Sequence, residues 1–151
     1  MLRTGKGEAH AKVILFGEHA VVHGEPAIAL PLEALPIHAS ATPIDGELTL
    51  TSSLYTGPLE QAPSFLESPR AVVLAALAAF GLPASGIALA IDGDIPPARG
   101  LGSSAAVAGA LVRALADLAG RDLSQKEYLE LVAVGERVAH GTPSGLDAEA
   151  T

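Results

Sequence analysis

The sequence predicts one α+β domain, and three observations carry that prediction. The first third of the chain consists of short, partly alternating apolar segments bounded by Gly, Pro or Asp, which is the pattern of strands. The second half holds longer stretches with apolar residues at helical spacing, closed by glycines. One further strand-like segment, GIALAIDG, separates the first of these stretches from the other two, so strands and helices are mixed along one chain. The length of 151 residues, nearly half of them apolar, suits a single domain with one sizeable core. Aromatic residues are scarce, so alanine, valine and leucine must fill the interior.

The elements follow in order. AKVILF, PAIALPL, PIHASATP and GELTLTS read as strands, with Pro26, Pro31 and Pro36 near their ends, where turns and edges tolerate proline. Residues 52–67, SSLYTGPLEQAPSFLE, show no period and many breakers, and read as a loop. Ser68 reads as an N-cap with Pro69 at the first helical position. The helix RAVVLAALAAF follows, and Gly81 stops it. GIALAIDG, 86–93, is the next strand. A second helix runs from about Ser103 to Ala119 and stops at Gly120. Ser124 with Glu127 three residues later is a capping-box pattern, and it opens a third helix over 125–139 that ends near Gly141. There are no repeats, linkers or low-complexity tracts.

Composition excludes several functions. The absence of cysteine removes a disulfide framework, a zinc finger and a thiol nucleophile. A net charge of -8 argues against nonspecific partnership with nucleic acid or an anionic membrane surface. It leaves room for an anionic small ligand, which responds to the local field. The N-terminal segment has a basic start, but its only continuous apolar run is Val13 to Phe16, too short for a signal peptide or a membrane span. A cytoplasmic location is the expectation.

The segment PPARGLGSSAAVAG, Pro96 to Gly109, is the first candidate site. A helix N-terminus offers unpaired N–H groups and the positive end of a dipole. Gly100 and Gly102 let the backbone approach a ligand, Ser103 and Ser104 add hydroxyls, and Ala105 and Ala106 add no bulk. This suits a phosphate cradle; it also suits a plain glycine turn with a serine cap. The P-loop pattern fails, because Gly102 is followed by Ser103 and not lysine. GLGSSA matches the loose dinucleotide fingerprint, but Pro96 and Pro97 separate it from the strand, and the acid near the required offset, Asp117, falls inside a helix.

Other residues carry chemistry. Lys12, on the first strand, is either a solvated outward residue or a fixed cation near a phosphate or a reacting hydroxyl. Glu18 and His19 break an apolar run. His19 and His23 are spaced like a metal pair, but Gly17 and Gly24 flank them and HExxH is absent, which disfavours zinc. On the third helix Leu129, Val132 and Ala133 mark an apolar stripe, and Glu136 falls on it one turn later. A buried carboxylate requires a partner or a cation; a glutamate at the edge of the core that reaches solvent is the alternative. Magnesium bound to nucleotide takes one or two protein oxygens, which Glu136 and the Ser104 hydroxyl would supply. Asp147 closes HGTPSGLD, either as a local cap or as an acceptor of an alcohol proton.

Taken in order, AKVILFGEHAVVHGEPAIALPL, PPARGLGSSAAVAGAL and GERVAHGTPSGLD resemble successive motifs of the mevalonate kinase family, in the GHMP small-molecule kinase superfamily. The resemblance runs from about Ala11 to the C-terminus. The glycine–serine motif alone indicates only the superfamily; GEHAVVHG with HGTPSGLD is more specific, and galactokinases continue differently after GEH. The resemblance implies a GHMP kinase N-terminal domain with an S5-type α+β fold and a left-handed βαβ unit. It implies ATP binding by Pro97, Arg99, Gly100, Leu101, Gly102, Ser103, Ser104 and Ala105, and Mg²⁺ binding by Ser104 and Glu136. It makes Asp147 and Lys12 catalytic, and sets Lys12, Glu18, His19 and Asp147 around mevalonate. Family members continue past the position of Thr151 into a C-terminal region with a third glycine-rich motif. The expectation is therefore an N-terminal, ATP- and substrate-binding domain over 1–151 without its C-terminal domain, open to homodimer formation or to pairing with that half. Phosphomevalonate, homoserine and sugar kinases are alternatives within the superfamily, and a non-catalytic nucleotide-binding module is an alternative outside it.

Overall fold

The structure is a computed structural model that describes residues 3–16, 28–93 and 103–140. Five strands form one sheet: β1 (Gly5–Phe16), β2 (Ile28–Pro43), β3 (Thr49–Thr51), β4 (Thr56–Pro58) and β5 (Ile87–Gly93), in the spatial order β1-β2-β5-β3-β4. All neighbours are antiparallel except β3 and β5, which run parallel. The chain between that parallel pair contains β4 and helix α1 (Glu67–Phe80), so it forms a βαβ crossover. Helices α2 (Ser103–Leu118) and α3 (Gln125–His140) complete the fold. This is the mixed α+β architecture that the sequence predicts.

Alternation sets the two faces of the sheet. Ala9, Ile37, Ala39, Ala41, Leu50, Ile87 and Leu89 are buried beneath the helices, while Lys6, Glu8, His38 and Asp92 are exposed on the open face. Helix α2 is buried on nearly all sides and forms the centre of the helical layer, with Leu111, Val112 and Leu115 fully enclosed. Each such side chain contributes about 1.5–3 kcal/mol of burial.

Four elements differ from the sequence reading, the first being β1, which begins at Gly5, six residues before AKVILF. Residues 28–32 of PAIALPL and the whole of PIHASATP lie in one continuous strand, β2. Strand β5 pairs with residues 37–43 of β2, so Pro31 and Pro36 lie where β1 is the sole partner strand among the described residues. A proline N there can face the unpaired side without losing a ladder bond. The register also shifts between His10 and Ala11, where β2 carries three additional residues. Residues 52–67 contain β4 and two single 3₁₀ turns, Leu59–Gln61 and Ser64–Leu66, each preceded by a proline. Elements of three residues are too short to show a period. Finally, α1 begins at Glu67 after Leu66, with no side-chain cap. Ser68 instead donates its hydroxyl to the Gly135 carbonyl of α3 at 2.8 Å, and Pro69 sits in the first turn, where its N–H would lack an intrahelical partner anyway.

Candidate functional site

The site is built from the helices' mutual levels. Helices α2 and α3 are joined by six residues, so they form an antiparallel hairpin. The cap expected at Ser124 is present: the Glu127 N–H donates to Ser124 Oγ at 3.1 Å, while the Glu127 carboxylate faces Arg121 at 3.4 Å. The Arg113 guanidinium lies 4.3 Å over the Tyr128 ring, which ties the middle of α2 to the first turn of α3. From Arg113 back to Ser103 is ten residues, ~15 Å; from Tyr128 forward to Glu136 is eight residues, ~12 Å. Glu136 therefore lies within a turn of the level at which α2 begins.

Its burial is clear. Tyr128, Leu131, Val132, Gly135 and Glu136 form the enclosed stripe of α3, and Glu136 is 7% exposed. It is the one buried charged residue among those described. The edge-of-core alternative fails, since a solvated glutamate would expose its carboxylate.

Strand β1 approaches the same level from the other side. A Cβ at Gly5 would overlap the Ala114 carbonyl oxygen and lie 2.5 Å from the Leu118 nitrogen. A Cβ at Gly7 would overlap the Ala110 carbonyl oxygen and lie 2.5 Å from the Ala114 nitrogen. Only glycine permits this contact of strand with helix backbone. Two strand residues thus match one helical turn, and β1 runs towards the N-terminus of α2. Lys12 is five residues past Gly7, ~17 Å further along, which brings its backbone to within a turn of the level of Ser103. In the ladder Lys12 stands opposite Pro31.

The structure thus brings three sequence-predicted positions to one end of the helical layer: Lys12, the Ser103–Ser104 helix start and Glu136. Ala105 and Ala106, which follow the helix start, are buried and add no bulk. Glu18, His19, Pro97, Arg99, Gly100, Leu101, Gly102 and Asp147 lie outside the described residues, as does the His19–His23 pair. Among the described residues no group of three or more His, Cys, Asp or Glu could hold a metal by itself. A carboxylate and a hydroxyl at a helix N-terminus nonetheless fit a hard cation that takes its remaining oxygens from phosphate and water. A cavity of ≈ 360 Å³ lies elsewhere, between β3, β4 and α1, lined by Leu48, Leu59, Arg70 and Leu74 among others, and contains none of the predicted site residues. No helix among the described residues is long and apolar enough to cross a membrane.

Sequence reasoning missed the part that Gly5, Gly7, Arg113 and Asp117 play in fixing this geometry. The signal was present as GKGE at the start of the first strand and as an i, i+4 charged pair on the second helix.

Comparison with known proteins identifies the family and the fold. Residues 68–151 match the family model described as "GHMP kinases N terminal domain". The chain is 33% identical over 156 residues to a mevalonate kinase of Thermococcus onnurineus (strain NA1), covering 92% of this chain and 46% of that relative. Among solved structures, mevalonate kinase from methicillin-resistant Staphylococcus aureus MRSA252 superimposes with a TM-score of 0.73 at 39% identity, covering 98% of this chain and 50% of that one. The L. major mevalonate kinase in complex with R-mevalonate superimposes with a TM-score of 0.73 at 31% identity, covering 99% of this chain and 46% of that one. The chain spans about half the length of the relatives it matches. The family model covers more than half of the chain, and on that ground the chain belongs to the GHMP kinases.

Proposed function

We propose that this chain carries the ATP- and substrate-binding half of a mevalonate kinase, which transfers the γ-phosphoryl group of ATP to the primary alcohol of mevalonate. The observation that carries the reading is the burial of Glu136 at the level where α2 begins and Lys12 arrives. The motif order and the likeness to mevalonate kinases favour mevalonate over the acceptors of other GHMP enzymes.

The chain's own residues divide the work as follows. The backbone N–H groups that open α2, with residues 97–102 before them, hold the phosphates. Glu136 and the Ser104 hydroxyl hold Mg²⁺, which when bound neutralises phosphate charge. Lys12 adds a fixed cation beside the transferring group and steadies the developing alkoxide. Glu18 and His19 line the acceptor side. Asp147 accepts the proton of the alcohol as its oxygen bonds to the γ-phosphorus, while the bond from that phosphorus to the bridging oxygen breaks and its electrons leave with ADP. Positioning and charge neutralisation do most of the work in such a transfer. The positive field needed is local, which reconciles an anionic substrate with a net charge of -8.

The test is titration of Mg·ATP and mevalonate into this chain, alone and mixed with the C-terminal half of the Thermococcus onnurineus relative, with ADP release as readout. Mevalonate-dependent ADP release is the expected result. Phosphomevalonate, homoserine and galactose in parallel assign the acceptor. Absence of Mg·ATP binding in both forms refutes the reading.

A further inference from the structure

The outer edge of β1 is held by one turn of α2. Among the described residues strand β1 lies at the end of the sheet, with β2 on its paired side. On its free side the Lys6 N–H donates to Asp117 Oδ2 at 2.8 Å, and the Glu8 carbonyl accepts from Arg113 Nη1 at 2.7 Å. Arg113 and Asp117 are four residues apart on α2, so one helical turn satisfies one donor and one acceptor of the exposed edge. Asp117 also pairs with Arg3, just before the strand. Gly5 and Gly7 meet the backbone of the same helix between Ala110 and Leu118.

These contacts admit one register. A slip of one residue turns Lys6 and Glu8 towards the helices. A slip of two brings the Ala9 methyl into the space that only Gly7 fits, against the Ala110 carbonyl. We infer that Gly5, Gly7, Arg113 and Asp117 form a register clamp, and that Arg113 and Asp117 are positioning residues that set the level of Lys12 against the first turn of α2. This rests on the proposed role of Lys12 beside the phosphates. Neither Arg113 nor Asp117 lies near that end of the helix; they act through about 13–20 Å of strand.

The experiment exploits the absence of cysteine in the chain. Spin labels at His10→Cys and Asp122→Cys lie about 25 Å apart, within the range of pulsed dipolar spectroscopy. The parent chain should give one narrow distance distribution. Asp117→Ala, which removes the acceptor of the Lys6 N–H, should broaden it, and Gly7→Ala should shift it. Asp117→Asn keeps an acceptor oxygen and should preserve it. In the unlabelled chain, Asp117→Ala should weaken Mg·ATP binding about tenfold, and Asp117→Asn should remain within about twofold of the parent. If Gly7→Ala does not fold, the Asp117 pair decides alone. An unchanged distribution in Asp117→Ala overturns the clamp. A broadened distribution with parental Mg·ATP affinity overturns the positioning role and leaves the contacts structural. A parent chain that binds no Mg·ATP, alone or with a C-terminal half, removes the ligand reading, and the distances then report only on the clamp.

Discussion

Gly135→Ala tests the link between helix packing and the site. A methyl there would stand 2.6 Å from Val72 Cγ2 and 2.9 Å from Ser68 Oγ, both on α1. Carbon atoms prefer about 3.5–4.0 Å, so α3 must retreat by about 1 Å. Overpacking of this kind costs ~1–3 kcal/mol. Replacing a helical glycine by alanine returns ~1 kcal/mol. The net expectation is a loss of ~1 kcal/mol, a fall of ~3 °C in Tm for a chain of this size. Glu136 is the next residue, so it moves too, and a displacement near 1 Å at a reacting centre predicts a 10–100-fold loss in Mg·ATP use, on the order of what misplacement costs elsewhere. Val72→Ala supplies the control. Alone it costs about 2 kcal/mol, because Val72 is fully buried. It also clears the space that the new methyl needs. In that background Gly135→Ala should become neutral or stabilising, a coupling of ~1–3 kcal/mol, and Mg·ATP use should recover. Chemical denaturation of the four proteins of the cycle, with Mg·ATP titration of each, reads both quantities. Equal effects of Gly135→Ala in the two backgrounds would refute the packing argument. Coupling in stability with parental Mg·ATP use throughout would refute the role given to Glu136.

Three further outcomes are expected. Asp147→Asn should abolish turnover while Mg·ATP still binds; steady-state assay beside calorimetry checks this, and normal turnover removes Asp147 as the base. Ser104→Ala should raise the Mg²⁺ concentration needed for half-maximal ATP use, and an unchanged magnesium dependence argues against the hydroxyl as a ligand. Ser124→Ala should cost about 1 kcal/mol by freeing the Glu127 N–H, without altering nucleotide affinity; thermal unfolding measures it, and a change in affinity would show that this end of α3 reaches the site.

Strong local signals in the sequence survive in the fold. Gly81 ends α1 in the left-handed conformation, Ser124 caps α3, and the alternation of PIHASATP places Ile37, Ala39 and Ala41 in the core. The burial of Glu136 is legible from its place one turn beyond Leu129, Val132 and Ala133. What the sequence conceals is long-range. Pro31 reads as the end of a strand, because nothing local says that β5 stops short of that stretch of β2 while β1 continues along it. Ser68 reads as a cap, because nothing local offers it the carbonyl of Gly135, 67 residues away. Asp117 enters a sequence argument only as a failed ribose ligand, while its partners lie more than a hundred residues earlier.

Small residues along α2 explain why the site can exist at one end of the layer. Ala105, Ala106, Ala108, Ala110, Ala114 and Ala116 are buried, so β1 and α3 can lie close to the same helix. On the strand side, two residues of β1 advance about as far as one turn of α2, and the glycines and edge contacts fix where that match begins. On the α3 side, the Arg113–Tyr128 stacking and the short connection fix the antiparallel offset. Arg113 takes part in both: its guanidinium donates to the Glu8 carbonyl and lies over Tyr128. A single side chain in the middle of α2 thereby references strand and helix to one another. The positive end of the α2 dipole then meets a lysine level on one side and a buried carboxylate on the other. Under the proposed function, a helix measured from both sides is what draws phosphate and its counter-cation to one place.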